Sequence, residues 1–221
     1  MAEVLRRTQR EFDAINARLG AQREPMSDRV VENVLGGYAF IDDLVAAGVD
    51  VFAMGNLKHL LELNTIVLCG TDRARREQYA RHREATERRF YEEPDGGIQD
   101  LVEWYAAHRG DPVWHRAAGA FVRTLSKPQL FVEGNHRTAT LVMSYILLVD
   151  GLPPFVLSPE NAVAYFEPST VLRDTDKKSA AALFRLPGLT RSLARLLAEH
   201  ADRQYLMAPL SNPSPEGVGP G

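Results

Sequence analysis

The sequence predicts an all-α fold, on three observations. Apolar residues recur at helical spacing along most of the chain, and alternating strand patterns are few. Helix-start residues (Ser27-Asp28, Asp111-Pro112, Ser158-Pro159) precede several of these stretches. Glycine and proline fall mainly between them, as at Gly20, Pro25, Gly151 and Pro153-Pro154. With 221 residues, 45% hydrophobic and 25% charged, the chain has the size and composition for one core.

Residues 2–20 carry Val4, Phe12, Ile15 and Leu19 among charges, which predicts an amphipathic opening helix; residues 1–26 read as an N-terminal arm. A second helix is expected from Ser27 or Asp28, with Gly36-Gly37 as a point of bending or interruption. A third, apolar enough to be central, is expected over 56–69. Cys69 in that run reads as buried, and as the sole cysteine it cannot form an internal disulfide.

Between Asp72 and Glu93 seven arginines alternate with acids. Pairs such as Arg73–Glu77 and Glu84–Arg88 favour a solvated helix, and a dedicated anion patch is the other reading. A turn at 94–97 leads to a helix over 98–108. Asp111 as N-cap and Pro112 in first position then predict the helix PVWHRAAGAFVRTL. Residues 135–150 form the most apolar helix, closed by Gly151. A helix from Ser158-Pro159 and two further short ones, ending near Arg203, complete a domain over 27–205. Residues 206–221 are expected to be a disordered tail.

A formal charge of −3 argues against nucleic acid as the main partner. The apolar run at 141–149 is too short for a bilayer, so no membrane association is expected. The start MAEVLRRTQREFD lacks an apolar signal region, and a cytoplasmic location is the expectation. Oligomeric state is not legible. His59 and His115 read as packing or capping residues, and no zinc-ligand spacing or hydrolase signature is present.

The chemistry concentrates in KPQLFVEGNHRTATL, residues 127–141. The first N–H groups of a helix lack intrahelical partners and carry partial positive charge. Gly134 just before the helix lets the backbone curl so that those groups converge on an oxyanion. Arg137 adds a bidentate donor, and Asn135 can cap the helix or bond a phosphate oxygen. Glu133 would repel an anion unless a cation such as Mg²⁺ lay between them. Together these residues suggest a metal–nucleotide phosphate cradle.

The loop resembles the signature of the Fic/Doc (Fido) family, which runs His-x-Phe-x-Asp/Glu-Gly-Asn-Gly/Lys-Arg-x-x-Arg. Phe131, Glu133, Gly134, Asn135 and Arg137 match it position for position, and Thr138-Ala139 resembles the Doc branch. The likeness extends over about residues 27–190, including GNLKHLLELNTIVLCGTD, ILLVDGLPPF and ENAVAYF. The resemblance implies a Fic-like helical bundle, with a β-hairpin flap near Phe90 and Tyr91 as one reading and a packed helix end as the other. It implies that Gly134, Asn135 and Arg137 bind nucleotide phosphates, that Glu133 holds Mg²⁺ and that Phe131 anchors the loop. The usual activity of the family is transfer of AMP from ATP to a protein hydroxyl; some members transfer phosphate or phosphocholine.

Three departures bear on chemistry. The catalytic histidine of the pattern falls on Gln129, whose amide can position a hydroxyl or water but cannot accept its proton. His136 replaces the usual Gly or Lys; it could contact phosphate, act as a displaced base, or simply face solvent. The second arginine of the pattern falls on Thr140. In addition, Asp28-Arg-Val-Val-Glu32-Asn33 resembles the family's inhibitory helix, with Glu32 as a relic, a partner for Arg137, or a surface acid. Two functions follow as expectations. One is a nucleotidyl- or phospho-group transferase with altered chemistry, using ATP or another nucleotide, Mg²⁺ and a protein or small-molecule acceptor. The other is an inactive Fic-fold binding or regulatory module.

Overall fold

The computed structural model describes residues 1–94 and 96–206. Their regular structure is helical, with no strand among the described residues and one isolated bridge between Lys127 and Asp176. The all-α expectation holds. The tail expected at 206–221 lies, beyond Leu206, outside the described residues.

The opening arm is two helices, α1 (Ala2–Arg10) and α2 (Phe12–Asn16). Leu5, Phe12, Ile15 and Leu19 are buried in the same apolar cluster as the rest of the chain, so the arm is packed onto the body. Helix α3 (Asp28–Ala46) starts where Ser27 caps it, its hydroxyl accepting the Val30 N–H.

Gly36-Gly37 does not interrupt α3. A β-carbon on Gly37 would overlap Leu141 of α9 (Asn135–Val149), so the glycine permits close approach of the two helices. Helix α4 (Lys58–Cys69) follows a 3-10 turn and buries nearly all of its second half, including Cys69.

The arginine-rich stretch is α5 (Arg73–Gln78) and α6 (Ala80–Glu92). The Arg73–Glu77 and Arg88–Glu84 pairs form at 3.2 and 3.4 Å on exposed faces. A hairpin flap does not form here. Phe90 and Tyr91 occupy the last turn of α6, where Phe90 is fully buried against Phe131 while Tyr91 stays half exposed. Burial of one large aromatic face thus keeps the segment helical.

Helix α7 (Ile98–Ala107) leads to α8 (Val113–Leu125). Pro112 keeps an extended ψ of 138° and takes the N-cap place, one residue later than expected. The Asp111 carboxylate lies 3.0 Å from His115 Nδ1 instead. Small residues Ala117, Ala118 and Ala120 bury one face of α8, and α9 is buried over most of its length.

Helix α10 (Ala162–Asp174) begins later than Ser158-Pro159, because Asn161 Oδ1 first accepts the Ser158 N–H at 2.9 Å. In place of two short helices, α11 (Ala180–Glu199) runs unbroken through Pro187, with Leu186, Leu193 and Leu197 buried along it; only the turn Arg203–Tyr205 follows. Asp100 joins α7 to Arg123 of α8 and to the buried Lys177, which it meets at 2.9 Å. Among the described residues no helix is long and apolar enough to cross a membrane.

The two neighbouring glycines of α3 should respond in opposite directions to alanine. At Gly36 the new β-carbon would meet Ile66 at an ordinary 3.5 Å, so Gly36→Ala should stabilise by up to about 1 kcal/mol through helix propensity. Gly37→Ala should destabilise by about 1–3 kcal/mol by overpacking against Leu141. Urea unfolding of both variants checks the pair.

Candidate functional site

The segment between α8 and α9 contains a cis Lys127–Pro128 bond and is pinned on several sides. The Lys127 N–H donates to Thr175 O, and the Lys177 N–H donates to Lys127 O, both at 2.8 Å. Arg89 of α6 donates Nε–H to Gln129 O at 2.8 Å. Phe131 is buried and stacks on Phe90 at 5.7 Å between ring centroids.

Asn135 has a different task from the expected phosphate contact. Its Oδ1 accepts the Phe131 N–H at 2.8 Å, and its Nδ2 donates to Phe131 O at 2.7 Å. The side chain is buried, and both its polar atoms bond the loop. Gly134 then turns with φ +74°, a left-handed conformation, and an added β-carbon would lie 3.0 Å from Asn64 Nδ2 and 3.1 Å from Leu68. That Asn64 amide donates to Glu133 O at 2.9 Å and Thr138 Oγ1 at 3.0 Å. Asn64 was not foreseen as a site residue, although an amide embedded in the apolar run LLELNTIVL is a signal that could have marked it.

This turn opens onto a cavity of about 500 Å³. Gln129, Glu133, Gly134, Asn135, His136 and Arg137 all line it, so folding brings the loop residues to one wall. The rest of the lining comes from the connector Gln22–Met26 and from Tyr165, Phe166 and Arg173 of α10, with Leu5, Phe12, Val30, Val34 and Leu157 supplying apolar surface. Glu32 is absent from the lining. It is an exposed acid 3.6 Å from Arg6, so the pairing with Arg137 does not form. Phe90 and Tyr91 are likewise outside the cavity.

Arg137 donates Nη1–H to Val67 O at 2.9 Å and makes no ion pair among the described residues. Burial lowers its pKa, while the charges of Glu133 and Glu24 oppose that shift. Glu133 is exposed and stands 3.9 Å from His82 Nε2. Among the described residues no three His, Cys, Asp or Glu side chains form a metal cage. Gln129 donates Nε2–H to Leu125 O at 3.1 Å, and its Oε1 lies 3.4 Å from Asn135 Nδ2.

His136 is not a solvent-facing loop residue. Its ring sits among Phe121, Tyr165 and Phe166 at centroid distances of 5.5, 4.9 and 5.4 Å. The hydrogen-bond chain defines its tautomer. The single Thr140 hydroxyl proton goes to His136 O at 2.9 Å, so the Tyr165 hydroxyl must donate to Thr140 Oγ1. Tyr165 then accepts from His136 Nδ1–H at 3.2 Å. That leaves Nε2 as an acceptor, enclosed and without a partner among the described residues. Burial first, and then the charges of Arg23, Arg137 and Arg173, push the imidazole down to about 3. It is neutral near pH 7 and too weak a base there to act as a general base.

Arg23, Tyr165 and Arg173 were not singled out from sequence. They lie far from the loop along the chain, and no local pattern marks them.

No protein-family model, characterised protein or solved structure matches the chain.

A histidine whose folded pKa is depressed binds fewer protons folded than unfolded between about pH 3 and 6.5. Its contribution therefore makes stability fall as pH drops through that window, by at most about 1.4 kcal/mol per pH unit. Urea unfolding of wild type and His136→Gln between pH 7 and 4 should show this slope flattened in the variant.

Proposed function

We propose that the protein is a Fic-like protein that binds the phosphates of a nucleotide at the turn Glu133–Arg137, and that it is a nucleotidyl- or phospho-group transferase of non-standard chemistry. The observation carrying this reading is the joint placement of three features at one cavity: the left-handed Gly134 turn at the N-terminus of α9, an Arg137 guanidinium without a carboxylate partner among the described residues, and apolar surface from Leu5, Phe12, Val30, Val34 and Leu157. The first two suit an oxyanion and the third suits a base or other apolar group. The Fic-like sequence of the loop supports the same assignment. Asn135 contributes by holding the loop in shape.

A lone exposed Glu133 at the cavity wall fits a cation shared with a ligand's phosphates, and does not fit an all-protein cage. On this reading Glu133 holds Mg²⁺, with Glu24 the other carboxylate lining the cavity. The ion would neutralise phosphate charge when bound. Gln129 orients an incoming hydroxyl or water without removing its proton, so an acceptor with a more nucleophilic group suits the site better than an alcohol. The protein or small molecule that serves as acceptor belongs to the same proposal.

An inactive binding or regulatory module is the second reading. The bonding of the Gln129 side chain to Leu125 O and to Asn135 favours it, since an amide already engaged within the loop has less freedom to direct a substrate.

Calorimetric titration with ATP and Mg²⁺ should show saturable binding that Arg137→Ala weakens about 10-fold or more. No binding, or equal binding by both proteins, overturns the nucleotide reading. For the transferase, Gln129→His should raise ATP-dependent AMP labelling by about 10²- to 10⁴-fold, the usual worth of a positioned base. Binding without any such gain identifies the binding module.

A further inference from the structure

The cavity has a second group of cations that the phosphate-cradle reading leaves unused. Arg23 enters from the connector between α2 and α3, and Arg173 from the last turn of α10. Arg23 is clamped by one nitrogen: its Nη2 donates to Ser169 Oγ and Thr170 Oγ1 at 2.8 Å and to Phe166 O at 3.0 Å. Its Nη1 has no acceptor, and its Nε is enclosed without a partner among the described residues. Arg173 is exposed, and its side chain makes no ion pair or hydrogen bond among them.

Both guanidiniums line the same cavity and neither makes an ion pair among the described residues, although Glu24 also lines it. Glu167, an acid near Arg23, accepts the Gly20 N–H at 2.7 Å and makes no ion pair. Arg23 bonds Ser169, one helical turn before Arg173 on α10, so the two guanidiniums are neighbours; burial and the Arg173 charge lower the Arg23 pKa, while the charges of Tyr165 and Glu167 oppose them. Bringing cations together in a partly enclosed wall is unfavourable until an anion joins them. The wall also connects with the loop. Arg23 lies over the Phe166 ring at 5.5 Å, Phe166 stacks on His136 at 5.4 Å, and Arg137 follows His136 in the chain. Arg23, Arg137 and Arg173 all line this one cavity.

We propose that Arg23 and Arg173 form a second anion subsite of this cavity. It takes a further phosphate group of the same ligand whose first phosphate sits at the Gly134–Arg137 turn. The inference rests on the phosphate-cradle reading and narrows it, since the ligand then carries at least two separated phosphates and a monophosphate fills only half of the site. It also makes the N-terminal arm part of the binding site, because Arg23 reaches the cavity only while α1 and α2 are docked.

The test is calorimetric titration of the full chain with inorganic tripolyphosphate and with orthophosphate. Wild type should prefer tripolyphosphate. Arg23→Gln and Arg173→Gln should each weaken tripolyphosphate binding about 10-fold or more and leave orthophosphate binding unchanged. Arg23→Gln also removes contacts that hold the arm, so Arg173→Gln, at an exposed and unbonded side chain, is the variant that separates ligand loss from arm loosening. Tripolyphosphate binding of wild-type strength in Arg173→Gln, or no tripolyphosphate binding by wild type, overturns the proposal. The two readings fail differently. ATP binding that depends on Arg137 but not on Arg23 or Arg173 rejects the second subsite alone. Tripolyphosphate binding that depends on Arg23 and Arg173 but not on Arg137 rejects the cradle and retains the subsite.

Discussion

The carboxamide of Asn135, closed on the backbone of Phe131, is the constraint on which the functional region depends. It accepts the N–H and donates to the carbonyl of the same residue, at 2.8 and 2.7 Å. Phe131 is buried, so neither group could turn to water, and an unpaired buried backbone group costs about 1–3 kcal/mol. One side chain therefore lets a loop enter the interior without a β-ladder or helix to satisfy it. The consequences spread outward. The Phe131 ring meets Phe90, which ties the charged helix α6 to the core. Gly134 is left to make the left-handed turn, and Asn64 of α4 seals it from behind. The open end of α9 is thereby aimed at the cavity.

Electrostatics builds on that frame. A neutral unit, Thr140–Tyr165–His136, lies inside the wall, and three guanidiniums surround it. The order of effects matters. Burial alone would disfavour an imidazolium, and the arginines make it still less favourable, so His136 adds an aromatic surface and an acceptor but no charge. Charge in the cavity comes instead from Arg23, Arg137 and Arg173, offset by Glu24 and Glu133. Such a wall attracts anions without presenting a proton acceptor tuned to neutral pH, which favours binding and orientation over general-base chemistry.

Features that were legible in the sequence are those decided locally. Ser27 caps α3 because a hydroxyl at that position can accept one of the first-turn N–H groups that lack an intrahelical partner. Gly151 adopts φ +70° at the end of α9, as a helix-closing glycine does. The Glu133–Arg137 turn was legible for the same reason, since a glycine and the helix it precedes are neighbours in the chain. Other features required tertiary contact. The helical state of Phe90 and Tyr91 depends on an aromatic partner 41 residues beyond Phe90 along the chain, at Phe131. The burial of His136 depends on Tyr165 and Phe166, and the place of Arg23 on Ser169 and Thr170. An amide at a helix N-terminus, such as that of Asn135, can cap the helix, face a ligand or turn back on its own loop. Which way it turns is decided by the depth at which the preceding residue is buried, and sequence does not record that depth.

His136, Thr140 and Tyr165 form one coherent unit. An arginine in place of Thr140 would set a buried guanidinium beside His136 and against the Tyr165 hydroxyl, where no carboxylate is available to pair with it. Threonine instead completes a chain of three hydrogen-bonded neutral groups and lets the aromatic wall close. Positive charge in the cavity comes from Arg137 in the first turn of α9 and from Arg23 and Arg173. If those two cations hold a phosphate, the ligand's phosphate chain runs across the cavity toward the arm and not along α9. The neutral aromatic wall and the cations near the arm then become two parts of one anion-binding arrangement.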